Sequence, residues 1–499
     1  MVSASTTETT SVDPISLDLS LLLGGAGTDT AGSAILDSQG NIILAATTNS
    51  QDIITSNNVV QSSSSGGFDC LVFKLNPSGE IIFASYLGGS GDEGARAVGV
   101  DSNDNIIIAG FTTSQDFPIS SGASQEIFGG GAPDGDSFVA KISSNGQSIL
   151  WATYYGGNGD EHLTNMAVDS DDNIIITGRT GSSNLTTTVN ALQSEYSGSY
   201  DAFVAKLNPS GSSLLYSSYL GGTEEDSGSG VTLDSNNNAI LTGVTASSDF
   251  PTNASCYQPT YGGGENDAYI TKIDLNSGDI EWSTFLGATG NDIGVKIATN
   301  NQDHVFLVGF TTSDAFPTTQ DAFQETHGGV NDAFVSEVSA DGETLLFGSF
   351  FGGNNWELGS DIVITPEENI IVIGRSSSED LPITRAYQEE NAGFYDAFMF
   401  KMNGENQSIE YSTYIGGDGN DYAWNILIDS NCNPIVFGWT DSSNFPGYDG
   451  GTGGFYDVFL CRFSTQDVSA GDLSIPLIVL VSGLGIMILI IAFVIYRKR

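Results

Sequence analysis

One unit of about 65 residues is written seven times along this chain of 499, and this repeat narrows the possible folds more than any other feature. Each copy joins an aromatic-rich run to a Gly-Gly pair (Gly-Ala in the fifth) and then to an acidic loop. The first glycine falls at Gly24, Gly88, Gly156, Gly221, Gly287, Gly352 and Gly416, at spacings of 64, 68, 65, 66, 65 and 64 residues. The third copy reads YYGGNGDEHLTNMAVDSDDNIIITGRT, a long loop, then YDAFVAKLNPSGSSLLYSSYLGG.

Four strands fit in each unit. NMAVDS is of the first type, IIITGRT of the second, DAFVAKLN of the third and SLLYSSYLGG of the fourth. The joining segments DSDDN and NPSG carry turn chemistry, because Asp opens an Asx-type turn and Asn or Gly accepts positive φ. The third strand is apolar on both faces, so both faces must be covered, as they are when one sheet packs between two others. Solenoid coils of ~20–30 residues are excluded by the period, whereas a four-stranded propeller blade with long loops fits it. Gly is 62 of 499 and only 15% of residues are charged, a composition of strands and tight turns rather than helix bundles.

The chain ends complement one another. The N-terminus supplies only a fourth-type strand, Leu17 to Leu23, while the last unit stops after its third strand, DVFLCRF, at Phe463. The expected fold is therefore an all-β seven-bladed propeller of four-stranded antiparallel blades over 15–463. Leu17–Leu23 completes the seventh blade and removes the free edge.

The ordered set STYLGG…GDE…AVDSxxNIIITGxT…DFPT…DAFVAKLNPSG resembles the SBBP-type β-propeller repeat over about residues 17–463. That resemblance implies a propeller and an extracytoplasmic setting, as in bacterial and archaeal surface or secreted proteins. It implies no single activity and no catalytic residues.

Lys+Arg total 14 against Asp+Glu 61, a net charge of −47, so nucleic-acid and anionic-lipid partners are excluded on electrostatic grounds. The acidity suits divalent cations or basic partners, and it also keeps a large β-protein soluble. Cys70, Cys256, Cys432 and Cys461 show no CxxC spacing and make no disulfide framework, leaving their redox state open.

Residues 474–496, SIPLIVLVSGLGIMILIIAFVIY, are 23 without a charge, enough to span a ~30 Å hydrocarbon core as a helix. Arg497-Lys498-Arg499 follows and reads as a cytoplasmic tail under the positive-inside rule. The expected arrangement is a disordered segment 1–14, the propeller 15–463, a stalk 464–473, the span 474–496 and the tail 497–499. The propeller then lies outside the cytoplasm on a single-pass anchor. Residues 1–14 lack a basic and a hydrophobic leader region, so export would rest on an upstream segment or on the C-terminal helix itself.

Five residues past each glycine anchor stands an acid: Asp29, Glu93, Glu161, Asp226, Asp292, Glu357 and Asp421. Such a ring near the channel mouth offers hard oxygen ligands, calcium before magnesium. Sevenfold repetition favours the structural alternative, in which each carboxylate accepts amide hydrogens of its own glycine-rich loop. The Asp opening each third strand (Asp69, Asp136, Asp201, Asp267, Asp332, Asp396 and Asp457) reads as a cap or inter-blade hydrogen bond. The first-turn residues Asp37, Asp101, Asp169, Asp234 and Asp429 read as turn formers, with weak calcium potential in DSNDN at Asp101 and DSDDN at Asp169. No cofactor is expected beyond that.

Specific function in a repeat ring belongs where the repeat breaks. At the channel mouth the non-repeated residues are Arg96, His162, Asn165, Lys296, Trp356, Tyr422 and Trp424. On the same face, after the glycine of G-x-T, stand Phe111, Arg179, Val244, Phe310, Arg375 and Trp439. Arg and aromatic side chains make binding hot spots and sugar-stacking platforms, although blade packing alone would also use them. The histidines His162, His304 and His327 fall in different blades, with no HExxH and no Ser-His-Asp order, so the chain is not expected to be an enzyme. The leading expectation is a membrane-anchored surface module binding an extracellular protein or glycan. The alternatives are a glycan-active hydrolase or lyase at the mouth, and a calcium-stabilised spacer.

Overall fold

The computed structural model describes residues 14–131, 133–447 and 454–464. The expected membrane span and tail, nearly all of the stalk and of segment 1–14 lie outside the described residues; among the described residues no helix is long and apolar enough to cross a membrane. The described elements are 28 strands in seven four-stranded sheets. In the first blade strand A is Asp29–Leu36, B is Ile42–Thr48, C is Asp69–Leu75 and D is Ile81–Leu87, paired antiparallel in that order. Five further blades repeat this order down to Ile415, and the seventh is built from both chain ends.

Strand C is buried along its whole length in the first four blades, as its two-faced apolar sequence requires. The hydrophobic core accordingly sits between blades. Seven apolar clusters fill the seven inter-blade gaps; one joins Ile43 and Val72 to Ile106 and Phe138, another Leu44 and Phe73 to Phe437 and Leu460. Each fully buried side chain of this size contributes about 1.5–3 kcal/mol, so the ring is held chiefly by blade-to-blade packing.

The seventh blade closes the circle. Strand Ser16–Leu23 pairs antiparallel with Asp457–Ser464, placing Leu17 opposite Phe463 and Leu23 opposite Val458. Ser464, expected as the first stalk residue, is the last strand residue and pairs with Ser16.

The A–B turns hold one residue of left-handed backbone each: Gly40, Asp104, Asp172, Asn237, Asp303, Glu368 and Cys432. The turn aspartates Asp37, Asp101, Asp169 and Asp234 accept hydrogen bonds from the amides two and four residues on. Each of the four also receives a lysine of its own strand C, at 2.8–3.0 Å. In the DSNDN and DSDDN turns, singled out for weak calcium potential, the lysine partners are Lys141 and Lys206.

Strand A carries a β-bulge in all seven blades, which the sequence reading did not anticipate. Its pairing with strand B slips once, between Ala31 and Ser33 in the first blade and at the equivalent point in every other. The extra residues are Gly32, Arg96, Thr164, Ser229, Val295, Ser360 and Trp424. The bulge accounts for the glycine of G-x-T. A side chain at Gly110, Gly178, Gly243, Gly309, Gly374 or Gly438 would press into the carbonyl two residues before the bulge. A bulge re-aims side chains out of the strand's alternation, and here it does so around the axis.

Candidate functional site

The acidic residue opening strand A is turned into its own loop. Asp29, Glu93, Glu161, Asp226, Asp292, Glu357 and Asp421 are all buried. Glu161 accepts the Gly157 amide at 2.8 Å and the Thr180 hydroxyl at 2.6 Å; Glu93 and Glu357 make the same pair of bonds. Each carboxylate closes its own loop, the structural alternative weighed above. Burial favours the neutral acid and, against these hydrogen bonds, pushes Glu161 up to about 7 and Asp226 and Asp421 up to about 6. The acids opening strand C lie beside them. Burial pushes Asp267 and Asp396 up to about 7 and Asp136 up to about 6. Among the described residues no three His, Cys, Asp or Glu side chains converge to hold a metal ion.

The repeat-breaking residues behave differently. A cavity of about 380 Å³ lies on the axis and takes lining residues from all seven blades, among them Gly32, Arg96, His162, Ser229, Lys296, Arg375 and Trp424. Six of the sequence candidates meet there: Arg96, His162, Lys296, Arg375, Tyr422 and Trp424. Its size is that of small-molecule sites. No Asp or Glu lines it, although the chain holds 61 of them.

On one side Arg375 lies over Tyr422, 4.3 Å from the ring centre, and 5.9 Å from that of Tyr395. Tyr422 packs in turn on Trp439 at 4.1 Å between centroids, and Trp439 on Tyr456 at 4.6 Å. Trp356 stands just outside the axial cavity, half-exposed, on a small adjoining recess shared with Arg375, Tyr395 and Tyr422. On the other side Arg96 lies 5.3 Å from the centre of Phe111, which stacks on His162. His162 Nδ1 is 2.9 Å from Asp134 Oδ2, and Arg179 approaches the same oxygen at 3.8 Å. The His162 hydrogen bond, working against burial, holds the Asp134 carboxyl below the usual range. Arg179 also reaches Glu225 at 4.0 Å, so it is an ion-paired rim residue rather than a pocket residue.

Arg96, Lys296 and Arg375 form no ion pair among the described residues. Arg96 Nε is buried with no hydrogen-bond partner there. Burial draws both guanidinium pKa values down from their ordinary level, opposed by the charge of nearby Asp134 at Arg96 and by Tyr422 and Tyr395 at Arg375. Aromatic faces add to this, since a cation over a ring is attracted by its quadrupole.

Asn165 belongs elsewhere. It is buried in the channel wall and accepts the Val231 amide of the next blade at 3.3 Å. Asn425 does the same for Ala34, and Asp361 for Ile426. In these three blades the residue nine past the glycine anchor stitches one blade to the next, whereas in the fifth the same position is Lys296, which lines the cavity. Sequence reasoning missed Asp361 and the small bulge residues, for the strand A bulge is a pairing property with no residue signature, and it missed Asp134 and Tyr395, which stand in loops just before strand C.

No family model matches the chain. A stretch of 117 residues is 26% identical to an uncharacterized WD repeat-containing protein of Acanthamoeba polyphaga mimivirus; it covers 23% of this chain and spans 8% of that relative. Among solved structures, the Neurospora crassa Pan2 WD40 domain superposes with a TM-score of 0.44 at 8% identity, covering 88% of this chain and 89% of that one. A gluconolactonase of Xanthomonas campestris gives 0.34 at 11% identity, covering 72% and 92%. The propeller assignment rests on the sheet topology itself.

Proposed function

We propose that the chain is a binding module of the cell envelope: a rigid propeller, anchored by 474–496 and displayed outside the cytoplasm, that holds an extracellular ligand in its axial cavity. One observation carries this reading. Repeated positions of the ring serve its own loops and interfaces, while non-repeated cations and aromatics from several blades meet on the axis. Some non-repeated residues, such as Asn165 and Asp361, hold blades together, but the cations and aromatics named here converge on one cavity instead. The resemblance to SBBP-type repeats and the uncharged C-terminal run support the envelope setting.

Two experiments test it. The full-length chain in detergent is screened against glycan and peptide arrays, with Trp424→Ala as control. Loss of the captured ligand in that variant supports an axial site; unchanged capture places binding elsewhere. Protease shaving of intact cells addresses location, and a protected propeller would refute surface display.

A further inference from the structure

We infer that the axial cavity recognises a carboxylate-bearing sugar residue, such as a uronic acid at the end of an otherwise neutral glycan. This rests on the binding-module reading above and names its ligand class.

The cations come first. Arg96, Lys296 and Arg375 line one cavity from three blades, with no ion pair among the described residues and no acid in the lining. Elsewhere the lysines of this propeller sit on carboxylates, as Lys74 does on Asp37 and Lys206 on Asp169. Asp134 acts on Arg96 and Asp361 on Lys296 only through space, without a direct ion pair, and three cations facing one cavity are costly to desolvate unless an anion meets them. The rest of the molecule decides what kind of anion. At about 4 Å a charge pair near a protein surface is worth roughly 4 kcal/mol, whereas acids beyond a Debye length of about 8–10 Å are largely screened. A compact anion seated in the cavity is therefore attracted. A polyanion would have to run its other charges over a surface of net charge −47, and is disfavoured.

The aromatics specify what carries the anion. Tyr422 and Trp424 line the same cavity, and Trp356, 48% exposed, stands at the adjoining recess. Flat rings beside hydrogen-bonding cations suit the apolar face of a pyranose, with Arg forks for its carboxylate. A volume of about 380 Å³ accommodates a sugar residue and excludes a folded partner. The glycan beyond it would leave past Trp356.

The test uses an isosteric pair, methyl β-glucuronide and methyl β-glucoside, titrated calorimetrically into the full-length chain, with acetate and triglutamate as further probes. The glucuronide should bind about tenfold or more tightly than the glucoside. Lys296→Gln and Arg375→Gln should each weaken it by about tenfold, with circular dichroism confirming that each variant keeps the native fold at the titration temperature. Equal affinity for the pair, or indifference to both substitutions, overturns the carboxylate; acetate or triglutamate matching the glucuronide overturns the sugar. Neutral sugar or peptide binding abolished by Trp424→Ala would overturn this inference and leave the binding module standing. No binding by any of the four probes overturns the inference, and the array screen then decides the broader reading separately.

Discussion

Asp361 Oδ2 accepts the amide hydrogen of Ile426 at 2.9 Å, a hydrogen bond that crosses from one blade to the next within the channel wall. The same oxygen accepts Asn425 Nδ2 at 2.5 Å, and Asn425 Oδ1 accepts the Ala34 amide at 2.9 Å, so three blades are tied in series. Asp361 is buried, and desolvation raises its pKa against the pull of Lys296 and these donors. Asp361→Ala leaves the Ile426 amide unpaired and should cost about 1–3 kcal/mol. Urea unfolding at neutral pH measures this, with an unchanged slope separating lost stability from a changed denatured state. A loss under 0.5 kcal/mol would mean that water replaces the bond.

Ring closure offers a second measurement. Leu17 faces Phe463, which is fully buried. Phe463→Ala should cost about 3–5 kcal/mol, as for other buried aromatic truncations. Deleting residues 1–23 removes the whole closing strand and exposes the edge of Asp457–Ser464, so that variant should also self-associate. Light scattering and thermal melts read both effects; a monomeric deletion with native stability would show that the circle does not need its clasp.

The lysines of strand C differ in value although their bonds are alike in length. Lys206 reaches Asp169 at 2.8 Å with both side chains nearly buried; Lys401 reaches Glu410 at 3.0 Å, where the carboxylate is 29% exposed. Lys206→Met strands a buried carboxylate and should cost about 3–5 kcal/mol. Lys401→Met should cost about 1 kcal/mol or less. Equal losses in chemical denaturation would contradict the role given to burial.

Acidity should stabilise this propeller before it destroys it. Folding raises Glu161, Asp267 and Asp396 to about 7, and Asp136, Asp226 and Asp421 to about 6, from unfolded values near 4. The folded state thus binds their protons more tightly. Their contribution is fully present below about pH 4 and is lost as pH rises through 6 to 7. The turn acids Asp37, Asp101, Asp169 and Asp234 act in the opposite sense. Burial opposes their ionisation, but the side-chain and turn-amide hydrogen bonds outweigh it and hold them below the usual range. Their contribution is present above about pH 4 and is lost on further acidification. The melting temperature should therefore peak near pH 5 and fall towards pH 8. Calorimetry across pH 3–8 checks it, and a midpoint that rises from 5 to 8 would reverse the sign.

The blades, their number and the closing strand Leu17–Leu23 were legible in the amino-acid sequence. Short apolar runs, Asx turns and a period near 65 residues are local signals, and local hydrogen bonding enforces them. The two repeated carboxylates of each blade were legible in position, and sevenfold repetition already favoured a loop-closing role; their burial became visible only in the fold. What the tertiary structure decided is which residues meet. The bulge in strand A depends on how two strands pair, and it brings Arg96 and Trp424 to the axis with Lys296 and Arg375 from other blades, while Asn165 is left in the wall holding Val231. Residues hundreds of positions apart become neighbours only when the ring closes, so their common cavity exists in the circle and in no single repeat.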